Sequence, residues 1–349
     1  MTHDTDIPRL TSLAHGGGCG CKIAPGVLSQ LLGDLPLAAP YANLLVGTET
    51  ADDAAVYRLN DEQALIATTD FFMPVVDDPY DFGRIAATNA LSDVYAMGGA
   101  PIMALAIVGM PINVLPADII AAILQGGRDV CQAAGIPVAG GHSIDSVEPI
   151  YGLVALGLAH PDHIRCNATA QAGDVLVLGK PIGVGIYSAA LKKNQLDDAG
   201  YASMIKSTTT LNRAGPAIAK LVGVHAMTDV TGFGLLGHAH EMVRTTALDI
   251  ELQSTQVPLL PGVLELAQAG FITGASGRNW ASYEHGIDGR VRDDQLWRDL
   301  LTDPQTSGGL LVACAPEAVD QVMNEFRLEG CEPACVGHVT HGSGVVTVL

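Results

Sequence analysis

Ala64-Leu-Ile-Ala-Thr-Thr-Asp70 and, after a turn-rich link, Asp81-Phe-Gly-Arg-Ile-Ala-Ala-Thr-Asn-Ala-Leu-Ser-Asp-Val-Tyr-Ala-Met97 read as a strand followed by a helix. The strand is predicted to end at Asp70. Asp81 can cap the helix, and Gly98, Gly99 and Pro101 stop it. Phe82, Ile85, Ala86, Ala90, Val94 and Met97 recur at helical spacing and mark the core-facing stripe. Asn89 and Asp93, four residues apart, fall within that stripe. A carboxylate there is costly unless a cation or metal neutralises it, so Asp93 is predicted to be a ligand.

Strands and helices continue outward from this pair. A buried strand is predicted over Ile102–Val108, a helix over Pro116–Ala134 and a strand over Pro149–Ala159. Beyond a turn-rich stretch at Pro161–Gly173 come a strand at Asp174–Leu178 and helices near Gly185–Lys193 and Met204–Val222. Ala226–Asp229 follows, then a helix from about Gly232 to Thr245 and strands at Leu248–Leu252 and Gly309–Ala315. A helix over Pro316–Glu329 and a closing pair of strands end the chain. Thr69-Asp70 and Thr228-Asp229 each precede a helix, so the halves echo one another. The reading is α+β in two lobes: an arm over 1–48, a first domain over 49–165 and a second over 166–349.

The arm contains His15-Gly-Gly-Gly-Cys-Gly-Cys-Lys22, whose four glycines disfavour both helix and strand. Extended, it would point Cys19 and Cys21 to one side, and Lys22 would favour a thiolate by lowering the thiol pKa. It reads as a loop offering a nucleophile and a cation to something anionic, or else as a tail with incidental cysteines.

With 18 basic against 37 acidic residues, the net charge is −19, which argues against nucleic acid and anionic membranes as partners. The first residues carry no signal-peptide pattern, and no apolar run approaches a membrane span, so a cytoplasmic location is expected. Seven cysteines scattered over 349 residues do not suggest a disulfide framework.

Asp52, Asp53, Asp70, Asp93 and Asp229 sit at strand ends or helix starts in four segments. Gathered together they would suit Mg²⁺ shared with substrate phosphates, although any single one is explained as a turn former. No P-loop is present. Gly232-Phe-Gly-Leu-Leu-Gly237 matches a dinucleotide fingerprint but follows an acid where a pyrophosphate would lie, so it reads as close helix packing. Gly140-Gly-His-Ser-Ile-Asp145 and Thr306-Ser-Gly-Gly309 are better candidates for amides that meet phosphate or a neighbouring subunit. His238 and His240 are too close in sequence to pair on a metal, and a zinc site using Cys19 and Cys21 lacks a Cys-x-x-Cys partner.

These segments together resemble the selenophosphate synthetase (selenide, water dikinase) family from Arg9 to the end of the chain. The resemblance is carried by His15–Lys22, Thr48–Val56, Thr68–Pro74, Phe82–Leu105, Gly140–Asp145, Met227–His238 and Asp303–Leu311. It implies an enzyme converting ATP, selenide and water to selenophosphate, AMP and phosphate with Mg²⁺, supplying selenium for selenocysteine and selenouridine. Cys19 and Lys22 correspond to the catalytic thiol and lysine. Asp53, Asp93 and Asp229 correspond to the magnesium ligands. Lys22, Thr50, Ala51, Asp52, Asp70 and Asp93 fall in nucleotide-binding segments, and Gly141, His142 and Ser143 in one that reaches ATP from a neighbouring subunit. The implied fold is the two-lobed aminoimidazole ribonucleotide synthetase type, with mixed sheets flanked by helices and N-terminal lobes pairing into a homodimer β-barrel. Another small-molecule kinase of that superfamily, or a non-enzymatic selenium or metal carrier, are the competing readings.

Overall fold

The computed structural model describes residues 8–22, 27, 31, 41–47 and 52–349. Thr50 and Ala51 lie outside these residues. Among the described residues six strands form the first sheet: β1 (Leu44–Val46), β2 (Ala55–Arg58), β3 (Ala64–Phe72), β4 (Ala100–Met110), β5 (Val138–Asp145) and β6 (Ile150–Ala159). Their order is β1-β2-β3-β6-β4-β5, antiparallel throughout except for the parallel β4–β5 pair. A parallel pair needs a crossover, and helix α2 (Ala117–Ala133) supplies it.

Helix α1 (Pro79–Ala96) is the predicted one, starting two residues early. Asp78 is the cap rather than Asp81: its carboxylate accepts from the Asp81 amide at 2.8 Å. Pro79 takes the first helical position, where no N–H is needed. Nearly every residue from Phe82 to Ala96 is buried, not one stripe alone. The reason is tertiary: α1 is covered by β3 and β6, by α2 and by the second lobe. Contact with α2 is backbone-close, since a Cβ on Gly83 would lie 1.9 Å from the Ile123 carbonyl oxygen.

Two expectations for this lobe need correction. Strand β3 runs past Asp70 to Phe72. Strand β4 is half-covered rather than buried, with Ile102 41% exposed. Gly140–Asp145, expected to offer amides to phosphate or a neighbouring subunit, belongs to β5, the sheet's outer strand among the described residues. Its Gly141 sits at φ +151, pressed against Ala106 at an irregularity in the β4–β5 register.

The second sheet has seven strands: β7 (Val175–Leu178), β8 (Val224–Asp229), β9 (Leu248–Leu252), β10 (Ile287–Gly289), β11 (Leu310–Cys314), β12 (Ala334–His341) and β13 (Val346–Val348). Their order is β10-β13-β9-β12-β7-β11-β8. Helices α3 (Val184–Lys192), α4 (Gly234–Val243) and α5 (Gly274–Tyr283) matter for the site. The single helix expected over Met204–Val222 is instead two, Asp198–Thr209 and Gly215–Ile218. Pro216 stands in the first turn of the second, where proline belongs. Neither sheet closes into a barrel among the described residues.

The hydrophobic cluster of the first lobe continues into Val184, Ile186 and Tyr187 of α3 and takes in Leu10 and Cys19 of the arm. The lobes therefore share a core, and the arm is part of it. No helix among the described residues is long and apolar enough to cross a membrane.

Candidate active site

Strand alternation places Thr68 and Asp70 of β3 on one face, and helical spacing places Asn89 and Asp93 of α1 opposite them. The pairs interlock. Asn89 Nδ2 donates to Asp70 Oδ2 at 2.8 Å, and Thr68 Oγ1 donates to Asp93 Oδ2 at 2.5 Å. From the second lobe, Thr228 Oγ1 at the end of β8 donates to Asp53 Oδ1 at 2.9 Å.

The arm docks on this seam. Its root is held where Thr11 Oγ1 donates to Asp77 at 2.6 Å. His15 Nδ1 lies 2.9 Å from Glu148, beyond β5. The Gly18 amide donates to the Met73 carbonyl at 2.9 Å, and the Cys19 amide to Thr306 Oγ1 of the second lobe at 3.1 Å. Both lobes thus hold one short segment. Gly18–Cys21 is a 3₁₀ turn rather than an extended strand, with Gly18 at φ +54. The two thiols accordingly have different surroundings: Cys19 Sγ donates to Asn89 Oδ1 at 3.1 Å, while Cys21 Sγ turns back onto the Gly18 carbonyl at 2.9 Å.

Asn89, noted in the sequence as a polar residue on the core-facing stripe but given no role there, is the hub. Its Oδ1 also accepts the Ser307 amide at 2.8 Å, so one side chain joins the first lobe, the second lobe and the arm. The available signal was a fully buried amide one turn before Asp93. The Ser307 amide, expected to face phosphate or a subunit, is occupied by this bond. Gly232 is explained too: a Cβ there would lie 2.7 Å from the Cys19 carbonyl oxygen, so this glycine lets the arm rest on the second lobe.

Charge is distributed unevenly over the seam. Lys22 Nζ lies 3.0 Å from Asp70 Oδ2. Surrounding protein opposes the ammonium charge, but Asp70, Cys19 and Asp93 outweigh that and hold its pKa well above the ordinary lysine value. Burial pushes the Cys19 thiol well up, and Asp70 adds to the shift; Lys22 pulls the other way without prevailing. The thiolate expected from the Cys-Lys spacing is therefore not the form this closed arrangement favours.

Asp53, Asp93 and Asp229 are raised first by burial. Asp53 and Asp93 are raised well above the usual carboxylate range, each also by the charge of Asp229; Ser92, His238 and Lys22 ease Asp229. Asp53 Oδ2 and Asp229 Oδ2 are buried without a hydrogen-bond partner. Such a set needs positive charge from outside. Among the described residues no group of three or more His, Cys, Asp or Glu side chains is placed to hold a metal by itself. That is compatible with Mg²⁺, which takes one or two carboxylates and completes its shell with water and phosphate oxygens.

Other predicted residues stand elsewhere. Asp52 Oδ1 accepts the Asn167 amide at 2.8 Å, tying its loop to the link between lobes. Gly141, His142 and Ser143 lie on β5, separated from β3 by β6 and β4, roughly 14 Å away at ordinary strand spacing. They are not brought to the acids within one chain.

Comparison with known proteins decides the family. Residues 51–159 match the family described as AIR synthase related protein, N-terminal domain, and residues 171–349 its C-terminal domain. The chain is 66% identical over 345 residues to "Selenide, water dikinase" of Burkholderia ambifaria, covering 98% of this chain and 97% of that one. The protein of the same name from Rhizobium meliloti is 60% identical over 349 residues, with 99% of each covered.

This chain belongs to the selenide, water dikinase family.

Structural neighbours of this family member are more distant and speak for the fold alone. Thiamine-monophosphate kinase from Stenotrophomonas maltophilia superposes with a TM-score of 0.64 at 18% identity, covering 88% of this chain and 91% of that one. A chain of the HypE–HypF complex does so with 0.64 at 15% identity, covering 92% and 95%. T. maritima PurL complexed with AMPPCP gives 0.55 at 19% identity, covering 82% of this chain and 42% of the other. The two-lobed aminoimidazole ribonucleotide synthetase-like fold is thus observed in this dikinase relative.

Proposed function

We propose that the chain is a selenophosphate synthetase that converts ATP, selenide and water to selenophosphate, AMP and phosphate. The observation that carries this reading is the seating of Cys19 and Lys22, through Asn89 and Asp70, beside three mutually repelling buried carboxylates. Phosphoryl transfer needs positioning and charge neutralisation above all, and this seam offers both.

In this reading Asp53, Asp93 and Asp229 would hold Mg²⁺, no more than two of them on one ion, and the metal would neutralise phosphate charge when bound. Thr50, Ala51, Asp52, Asp70 and Asp93 bound the nucleotide site. Lys22, kept charged by Asp70, is presented to phosphate oxygens once Asp70 shares it. Asn89 holds the Cys19 thiol and its proton in place, so the arm delivers a soft, neutral S–H to the acceptor's side of the site. Closure also keeps water, the acceptor of the second phosphoryl group, from competing with selenide for the first.

The same reading makes the protein a homodimer. Gly141, His142 and Ser143 are too far from the acids of their own chain, and β5 is almost wholly exposed. Pairing of N-terminal lobes across β5 would build the barrel and bring these residues toward a neighbour's ATP. The domain limits 1–48, 49–165 and 166–349, and a cytoplasmic location, belong to this proposal. An assay of AMP release with and without selenide tests it. Selenide-dependent AMP supports the synthetase; ADP formed with another small-molecule acceptor, and no response to selenide, would replace it with a different kinase.

A further inference from the structure

Lys22 is engaged by Asp70 on the first-lobe side of the arm. On the second-lobe side stands a different cation, Arg278 of α5, whose Nη2 donates to the Gly20 carbonyl at 3.1 Å. Gly20 lies between the two cysteines, inside the 3₁₀ turn that seats Cys19. The next residue on α5, Asn279, is buried and donates to the Gly232 carbonyl at 2.9 Å and the Thr302 carbonyl at 3.0 Å. One turn of helix thus grips the arm through Arg278 and, through Asn279, the glycine on which the arm rests.

Cys19, Lys22, Gly232, Phe233 and Arg278 also line a narrow crevice beside the thiol. It leaves about 10 Å³ for the centre of a water-sized guest, near the least that accommodates a single water. A guest the size of one water fits, and an organic molecule does not. With Lys22 and Arg278 on its walls, the crevice favours an anion.

We propose that Arg278 is a positioning residue that latches the closed arm by its Gly20 carbonyl and walls a one-atom subsite for an anionic chalcogen acceptor beside Cys19. The arm is glycine-rich and has little conformational preference of its own, so a single charge-assisted hydrogen bond in its turn shifts the balance between docked and undocked forms. The acceptor half of the proposal rests on the synthetase reading. The latch half does not.

The test compares alkylation of Cys19 by iodoacetamide with that of Cys314, a fully buried thiol in β11, by peptide mass spectrometry on the full chain without nucleotide. In Arg278→Ala the Cys19-to-Cys314 rate ratio is expected to rise about 10-fold, the loss of one charge-assisted bond. Arg278→Lys, which keeps charge without the guanidinium fork, should fall between. Gly232→Ala, acting on the arm from below, should also raise the ratio. In steady state Arg278→Ala should raise KM for selenide about 10-fold while kcat falls less than about threefold, a split that general loosening does not produce. An unchanged ratio in Arg278→Ala overturns the latch, whatever the activity. A raised ratio with an unchanged KM for selenide overturns the acceptor subsite. Absence of selenide-dependent AMP in the unmodified protein would instead sink the synthetase reading and leave the alkylation test standing.

Discussion

Asp70 and Asp229 occupy equivalent-looking places, each after a threonine on a strand that precedes a helix, one in each lobe. Their surroundings differ. Asp70 Oδ2 receives Asn89 and Lys22, both from this chain. Asp229 keeps a buried oxygen with no partner and has its pKa raised, chiefly by burial. One acid carries its countercharge in the arm; the other is built to receive a countercharge from outside. On the proposed reading the same dipeptide serves closure in one lobe and cation binding in the other, and neighbours rather than local sequence decide which.

The largest effect should come from the residue on which both sides converge. Cys19→Ser is expected to lower selenide-dependent AMP formation by at least about 10³-fold, with a melting temperature within about 2 °C of the parent. Retained turnover would remove the thiol from the chemistry. Next, Asp229→Asn should lower magnesium-dependent ATP turnover by about 100-fold. Because it also removes a buried, unpaired charge, it should stabilise the metal-free protein by about 1–3 kcal/mol. Denaturant unfolding in chelator measures that gain, and destabilisation would show that Asp229 is already compensated within the chain.

Asp70→Asn should behave in the opposite sense. It leaves Lys22 without its partner, so Cys19 should alkylate about 5- to 10-fold faster with no gain in stability. A stabilised Asp70→Asn would erase the contrast between the two acids. The smallest effect concerns pH. Asp229 in the fold binds its proton more tightly than in the unfolded chain, where carboxylates titrate near 4. Its penalty is therefore full at high pH and fades as pH falls through the raised folded value. The stability gain of Asp229→Asn in chelator should shrink from pH 8 toward pH 5, and a gain that grew on acidification would reverse the assigned direction.

Much of the frame was legible because it follows from local periodicity. Helix α1 was found within two residues, and Asn89 and Asp93 stood out as polar groups on a buried stripe. Asp78 displaced Asp81 as the cap because Pro79 sets the first turn. Strand β5 was missed since Gly140 and Gly141 carry a loop signature, whereas their lack of side chains serves close approach to β4. The 3₁₀ turn of the arm and the raised Cys19 thiol were equally illegible. The turn is held by Asn89 and Thr306, and the thiol is raised first by its burial between the lobes and then by Asp70, all supplied by distant segments.

Sequence by itself determined which side chains must be neutralised or tied down: acids on apolar stripes and at strand ends, a thiol and an amine on a glycine tether. Those are costs of burial and freedoms of backbone, properties a residue carries wherever it goes. Tertiary structure alone decided who meets whom. Asp70 meets Lys22, Asp229 is left with an unpaired oxygen, and Asn89 joins three parts of the chain, because pairing energies depend on ångström distances that only the closed packing of both lobes and the arm sets.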